Sequence, residues 1–339
     1  MTDTQPQAPR LVDGHGRVHR DLRISLTDHC NLRCSYCMPA EGVAWIARDT
    51  LLTPAELMRL VRVGVNLGVT EVRLTGGEPL LRPDVVEIVA RIAALTRPDG
   101  GHPEVSMTTN GIGLARLAEP LFDAGLKRVN VSLDTLRPDR FLALTRRDRL
   151  TDVLAGLDAA VDAGLAPIKV NSLLMRGVND DEAVELVRWA VGEGHELRFI
   201  EHMPLDAGHT WKRSEMITGA EILAKLGEAF ELTALPGRGA APAERWLVDG
   251  GPGTVGVIAS VTMPFCGACD RLRLTADGQL RNCLFARDES DLRTPLREGA
   301  TDDEIAEIIV ASLAAKLPGH GINEPGFLQP RRPMSAIGG

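Results

Sequence analysis

Short apolar runs alternate along this chain with longer stretches whose apolar positions recur every three or four residues. Runs at 22–27, 71–75, 104–108, 128–133, 167–173 and 196–200 predict strands. The stretches 54–67, 83–95, 114–124, 151–163 and 181–191 between them predict helices. Thr53 ahead of Pro54, with Glu56 three residues on, fits a capped helix start. Strand and helix alternating in this way predict a parallel sheet with crossover helices, six βα units where a closed barrel has eight. Polar clusters follow the carboxyl end of each strand: the 28–37 loop, Gly76-Gly77-Glu78, Thr108-Thr109-Asn110, Ser132 with Asp134, Lys169 with Asn171, and Glu201 to Met203. Barrels build their sites on that edge from many strands, whereas an open doubly wound sheet uses few strands near a switch point.

The pattern changes after residue 234. A Gly-, Pro- and Ala-rich stretch over 235–242 reads as a linker or long loop. Beyond it, 245–248 and 254–262 predict strands joined by a turn at 249–253, and 302–317 predicts a helix. The organisation expected is an N-terminal tail over 1–20, a barrel-like unit over 21–235 and a C-terminal region over 236–339. No internal repeat, low-complexity tract or coiled coil is present.

Composition narrows the function classes. With 339 residues and 44% apolar content the chain can bury a sizeable core. A net charge of −8 gives no basic face for nucleic acid, and one Tyr with four Trp offers no run of stacking platforms. An anionic substrate would therefore need a local group of Arg and Lys. There is no apolar leader in 1–9 and no long apolar run, so a membrane partner is not expected and the cytoplasm is. In that compartment six cysteines serve metal or chemistry rather than disulfides.

Those six cysteines form two trios. Cys30, Cys34 and Cys37 follow the first predicted strand at spacings of x3 and x2; Cys266, Cys269 and Cys283 follow at x2 and x13. Three thiolates leave one iron of a cubane cluster open to a further ligand. Structural zinc wants a closed set of four, which the pairs Cys34/Cys37 and Cys266/Cys269 could supply, leaving Cys30 and Cys283 unused. From spacing alone both metals stay open. Gly76-Gly77-Glu78-Pro79 is a turn after a strand, or two glycines that let backbone approach a ligand while Glu78 accepts from an ammonium. Arg271 and Arg273, two apart beyond a cysteine, would point to one side. Asp134 also reads as a simple cap, Met203 as core, and the Gly338-Gly339 end as frayed chain.

Asp28-His29-Cys30-Asn31-Leu32-Arg33-Cys34-Ser35-Tyr36-Cys37 resembles the signature of the radical S-adenosylmethionine (radical SAM) enzymes, and Arg73-Leu74-Thr75-Gly76-Gly77-Glu78-Pro79 resembles their second motif. Phe265-Cys266-Gly267-Ala268-Cys269-Asp270-Arg271-Leu272-Arg273, Cys283 and the ending Met334-Ser335-Ala336-Ile337-Gly338-Gly339 are similar to one subfamily, the MoaA-type GTP 3′,8-cyclases of molybdenum-cofactor biosynthesis. The resemblance runs from about Leu22 to Gly339. It implies an α/β fold, an incomplete (β/α)6 TIM-like barrel of the radical SAM type with a C-terminal extension carrying a second iron–sulfur cluster.

The same resemblance implies two 4Fe–4S clusters and S-adenosylmethionine as cofactors, with Cys30, Cys34 and Cys37 holding the first cluster and Cys266, Cys269 and Cys283 the second. Tyr36, Gly77, Ser132, Asp134 and Met203 align with SAM contacts, and Glu78 with the methionine end. Arg23, Arg73, Thr108, Lys169, Arg271 and Arg273 align with GTP contacts, Arg198 lying on the same side as a weaker candidate. Arg271, Arg273, Gly338 and Gly339 carry the implied catalytic positions, the double-glycine tail reaching back toward those arginines. His202, between Glu201 and Met203, stands where an apolar residue is usual. The implied reaction takes the ribose 3′ hydrogen of GTP and joins that carbon to C8 of guanine. A reductase, a downstream cyclic pyranopterin monophosphate synthase and a homodimer complete the partners it suggests. The rival readings are another two-cluster radical SAM enzyme and a non-catalytic zinc-stabilised binding module.

Overall fold

The computed structural model describes residues 11–338. Six parallel strands form its centre: β1 (Asp21–Ser25), β2 (Glu71–Thr75), β3 (Glu104–Thr109), β4 (Leu126–Ser132), β5 (Lys169–Leu173) and β6 (Glu196–Ile200), each bonded to the next. Helices α1 (Pro54–Leu67), α2 (Val85–Ala93) and α3 (Leu114–Asp123) follow β1 to β3; α4 (Pro138–Thr145) and α5 (Leu150–Asp162) follow β4; α6 (Ala183–Gly192) and α7 (Gly219–Gly227) follow β5 and β6. The α1 start is a capping box: Glu56 N donates to Thr53 Oγ1 at 3.2 Å, and Thr53 N to Glu56 Oε2 at 2.7 Å.

Strand side chains alternate between two faces. Leu22, Ile24, Val72, Leu74, Val105, Met107, Val129, Val131, Val170, Leu197 and Phe199 pack into one core with the apolar sides of the helices. Arg23, Arg73, Thr108, Asn130, Asn171 and Arg198 take the other positions and face a cavity. The helices cover only the first face, which frees the second for polar work.

The remainder extends the same sheet at both edges. β7 (Leu232–Ala234), β8 (Glu244–Val248) and β9 (Thr254–Ile258) continue it beyond β6, β9 parallel to β6 and the other pairings antiparallel. The 235–243 segment is thus a hairpin loop inside the sheet. β10 (Arg271–Leu274) lies parallel beside β1, followed outward by β11 (Gln279–Arg281) and β12 (Ser290–Asp291), giving the order β12-β11-β10-β1-β2-β3-β4-β5-β6-β9-β8-β7 in an open, mixed sheet. α8 (Arg293–Arg297) and α9 (Asp302–Ala314) come next, α9 packing on α1, and α10 (Met334–Ile337) ends the chain.

Residues 11–20, expected as part of a tail, are instead packed. Val12 bridges Val18, and Leu11 and His19 are buried. Their charged neighbours have partners elsewhere in the fold: Arg17 donates to the carbonyls of Cys266, Leu317 and Pro318 at 2.8, 2.7 and 3.0 Å. The rest of the expected tail, residues 1–10, lies outside the described residues, as does Gly339.

Candidate active site

The carboxyl edge of the parallel strands opens into a cavity of about 310 Å³. Many of the residues singled out from sequence line it, among them Arg23, Cys30, Cys34, Tyr36, Cys37, Arg73, Gly77, Thr108, Ser132, Asp134, Arg198, His202, Met203, Arg271 and Arg273. They come from β1, β2, β3, β4, β6 and β10 and from the loops after β1, β2, β4 and β6, so only the folded sheet gathers them. Lys169 and the second thiol trio do not reach the wall, although Phe265 and Leu284, next to Cys266 and Cys283, do.

The loop leaving β1 carries the first trio. Cys37 N and Met38 N both donate to Cys34 O, at 2.9 and 3.1 Å, winding the loop into a tight turn. Burial raises all three thiols, and their mutual proximity adds to it: Cys30 and Cys37 raise Cys34, while Cys30, Asp134 and Asp206 help push Cys37 up to about 12. Asn110 Nδ2 lies 3.8 Å from Cys30 Sγ and donates to Asn31 Oδ1 at 2.7 Å.

The Gly76-Gly77-Glu78 turn is built differently from the expectation. A Cβ on Gly76 would stand 2.4 Å from Thr27 O, and one on Gly77 would stand 2.3 Å from His29 O. Close approach is needed here between two protein backbones: Gly77 N donates to Thr27 O at 2.7 Å and Glu78 N to His29 O at 2.8 Å. Glu78 does not face the cavity. Fully buried, it accepts from Leu80 N (3.0 Å), Thr109 Oγ1 (2.7 Å) and Asn110 N (2.7 Å), so its carboxylate anchors the neighbouring loop instead of waiting for an ammonium. Burial raises it to about 7, against those three donors.

Tyr36 is the aromatic of the first loop. Its hydroxyl donates to Asp134 Oδ2 at 2.6 Å, while Leu173 N donates to Asp134 Oδ1 at 2.8 Å. Asp134 is therefore a clamp between the cysteine loop and β5, not a cap, and burial raises it to about 6. His202 stands edge-on to Tyr36 at 6.3 Å, and its burial lowers the imidazole against the pull of Asp206 and Glu215.

Across the cavity, strand register sets a row of cations. Arg273 pairs with Arg23 and Arg23 with Arg73, while Arg271 lies opposite Asp21. Arg23, Arg73 and Arg273 are all less than a tenth exposed. Burial lowers Arg273 well below the usual guanidinium range, with Arg23 and Arg271 adding to the shift, and lowers Arg23 to about 10. The carboxylate shared by this row is Asp21, which all four arginines hold down against its own burial. Four cations around one carboxylate leave excess positive charge in a partly dry site, which suits a polyanion. Arg273 also donates to Gly338 O, and a Cβ on Gly338 would meet Thr75 Cγ2 at 2.7 Å, so the chain end is wedged against β2. Lys169 lies on the cavity side of β5, two residues short of Asn171, within 4.0 Å of Glu196 Oε1; burial lowers it to about 8.

The second trio occupies the foot of β10. Cys266 is raised by burial with Cys283 and Cys269 adding to it, whereas Arg271 and Lys316 draw Cys269 down to about 7 against its burial. The first trio lines the cavity and the second does not, so the thiols form two separate sets. Among the described residues no three His, Cys, Asp or Glu side chains gather closely enough for a single metal ion. That holds for each trio as for the two CxxC pairs together; all six thiols are free, and three on each site suit a cubane that leaves one iron open. Sequence reasoning missed Lys316 and the anchoring roles of Asn110 and Asp21. None carries a motif signal, and only the register and loop packing bring them in.

Residues 24–190 match the radical SAM superfamily, and residues 195–322 match the family described as Molybdenum Cofactor Synthesis C. The chain is 62% identical over 332 residues to the GTP 3′,8-cyclase of Streptomyces coelicolor, covering 97% of this chain and 96% of that protein. It is 57% identical to the GTP 3′,8-cyclase of Mycolicibacterium smegmatis, covering 97% and 92%, and 54% identical to that of Corynebacterium glutamicum, covering 97% and 89%. Among solved structures, Streptococcus suis SuiB bound to S-adenosylmethionine shares the fold, with a TM-score of 0.56 at 13% identity over 86% of this chain and 69% of SuiB.

Proposed function

The chain belongs to the GTP 3′,8-cyclase family, and we propose that the cavity at the carboxyl edge of its sheet carries that activity. The protein is a radical SAM enzyme that converts GTP to (8S)-3′,8-cyclo-7,8-dihydroguanosine 5′-triphosphate, the first step of molybdenum-cofactor biosynthesis. Its cofactors are S-adenosylmethionine and 4Fe–4S clusters, which when bound supply single electrons and a source of hydrogen-abstracting radical.

The protein's own work is to hold, orient and keep dry. Cys30, Cys34 and Cys37 would hold one cluster, and Cys266, Cys269 and Cys283 the other. Tyr36, kept in place by Asp134, forms the SAM side of the cavity with Gly77, Ser132 and Met203. Arg23, Arg73, Arg271 and Arg273, with Thr108 and Lys169 along neighbouring strands, would grip the triphosphate and guanine; guanidinium forks match phosphate oxygens two bonds at a time. Gly338 accepts from Arg273, and the resemblance gives Gly338 and Gly339 together a catalytic place beside the arginines. The observation that carries the reading is the joint placement of the first thiol trio and the four-arginine row on one cavity.

Around this site we assign a single-electron reductase, a synthase that rearranges the product to cyclic pyranopterin monophosphate, a cytoplasmic setting, and a homodimer as the assembly to test. We also assign 21–235 to the barrel-like unit and 236–339 to the second-cluster region, although the sheet runs through both. The test is anaerobic turnover of the reconstituted enzyme with SAM, a reductant and GTP deuterated at the ribose 3′ carbon. Deuterium is expected in 5′-deoxyadenosine. Unlabelled 5′-deoxyadenosine would mean a different substrate, and its absence with iron-free protein would mean no radical enzyme.

A further inference from the structure

Just past the end of α9, Lys316 is buried at 4% exposure, with Nζ 3.5 Å from Cys269 Sγ and 2.9 Å from Arg271 O. Among the described residues it forms no ion pair with a carboxylate. Its charged contact is the Cys269 thiol, and the neighbouring cation is Arg17, which donates to the carbonyls of the next two residues, Leu317 and Pro318. An ammonium taken out of water needs a counter-charge, and the one in contact here is sulfur.

We propose that Lys316 is a positioning residue of the second cluster: its ammonium neutralises the Cys269 thiolate and ties that ligand to the start of β10. The carbonyl it bonds belongs to Arg271, so one amine couples a cluster ligand to the strand that sends Arg271 and Arg273 into the cavity. The next two residues extend the same fastening. Arg17 donates to Leu317 O, Pro318 O and Cys266 O, and is itself held by Asp13, Nε to Oδ2 at 2.5 Å. Both Cys266 and Cys269 are thereby moored to the segment that follows α9. A cation and an N–H donor at a ligand sulfur favour the more negative, reduced cluster, which raises its potential. This inference rests on the two-cluster reading of the trios.

The test is a redox titration of the reconstituted holoenzyme, wild type against K316M and K316Q, followed by electron paramagnetic resonance, with iron content and thermal unfolding alongside. Methionine keeps the length without charge or donor; glutamine restores an N–H donor. In K316M the midpoint of the second cluster is expected to move to lower potential while the first stays in place, and K316Q is expected to recover part of the shift. Loss of the second cluster alone, with unfolding temperature unchanged and K316Q restoring it, also supports the assignment. Full iron with both midpoints unmoved overturns it, as does a general loss of both clusters with a lowered unfolding temperature, which marks a merely structural residue. A wild type holding a single cluster overturns the two-cluster reading and this one together, and so separates the two failures.

Discussion

Cys37 and Cys269 belong to trios of like make-up in unlike surroundings. Around Cys37, burial together with Cys30, Asp134 and Asp206 pushes the thiol up to about 12. Around Cys269, Arg271 and Lys316 outweigh burial and draw it down to about 7. Negative surroundings disfavour an added electron and cations favour one, so a cluster on the first trio would be the better reductant of the two. The donor set is the same on both sides. The surroundings differ in which strands and loops stand behind the sulfurs: the Tyr36–Asp134 clamp behind one, and β10 with the segment after α9 behind the other.

The sharpest break of this comparison is removal of one sulfur from each set. Cys34→Ser should abolish 5′-deoxyadenosine formation altogether. Cys269→Ser should keep SAM cleavage, lose GTP cyclisation and bring iron from about eight to about four per chain, the loss of one cubane. Equal loss of SAM cleavage in both variants would show that the two sites are not separable. Next in size, Arg271→Ala or Arg273→Ala should raise the KM for GTP about 10- to 100-fold, since a charge-assisted hydrogen bond contributes about 1.5–3 kcal/mol. SAM cleavage should persist in both, and a GTP KM within twofold of wild type would remove them from the substrate site.

A pH profile sharpens the same contrast more gently. Lys169 is lowered to about 8, burial being the cause that wins over the attraction of Glu196. Its charge is present below that value and lost above it, so kcat/KM for GTP should fall as pH rises through about 8, and Lys169→Arg should flatten the fall. An unchanged profile in that variant would show that another group titrates. The smallest effect expected is at Tyr36→Phe, which removes only the hydroxyl bonded to Asp134. A net hydrogen bond contributes about 0.5–1.5 kcal/mol, so the KM for SAM should rise about 2- to 10-fold with GTP binding unaltered.

Much of the central sheet was legible before any coordinates. The spans of β2 and β6 and of α1 coincide with those predicted, because a strand buried under helices reads as an apolar run and α1 carries a complete capping box. Of the outer strands, β8 and β9 were legible as the runs 245–248 and 254–262, whereas β7, β10, β11 and β12 were not. β10 is only four residues of alternating Arg and Leu: the spacing put Arg271 and Arg273 on one side, but only pairing with β1 makes the segment a strand. Glu78 shows the opposite case: its motif was visible, but its partners Leu80, Thr109 and Asn110 are set by the turn around it, and they turn a ligand candidate into an anchor.

The sequence by itself determined the two thiol trios, the strand–helix alternation that places polar residues on one edge, and the radical SAM and cyclase resemblance, because these depend on local spacing and side-chain type. Tertiary structure alone decided that Arg23, Arg73, Arg271 and Arg273 share one carboxylate, that Asp134 clamps Tyr36, and that Lys316 stands at Cys269. Each of these joins residues far apart in the chain. Strand order and register bring them within reach, and burial then makes their charges strong enough to matter.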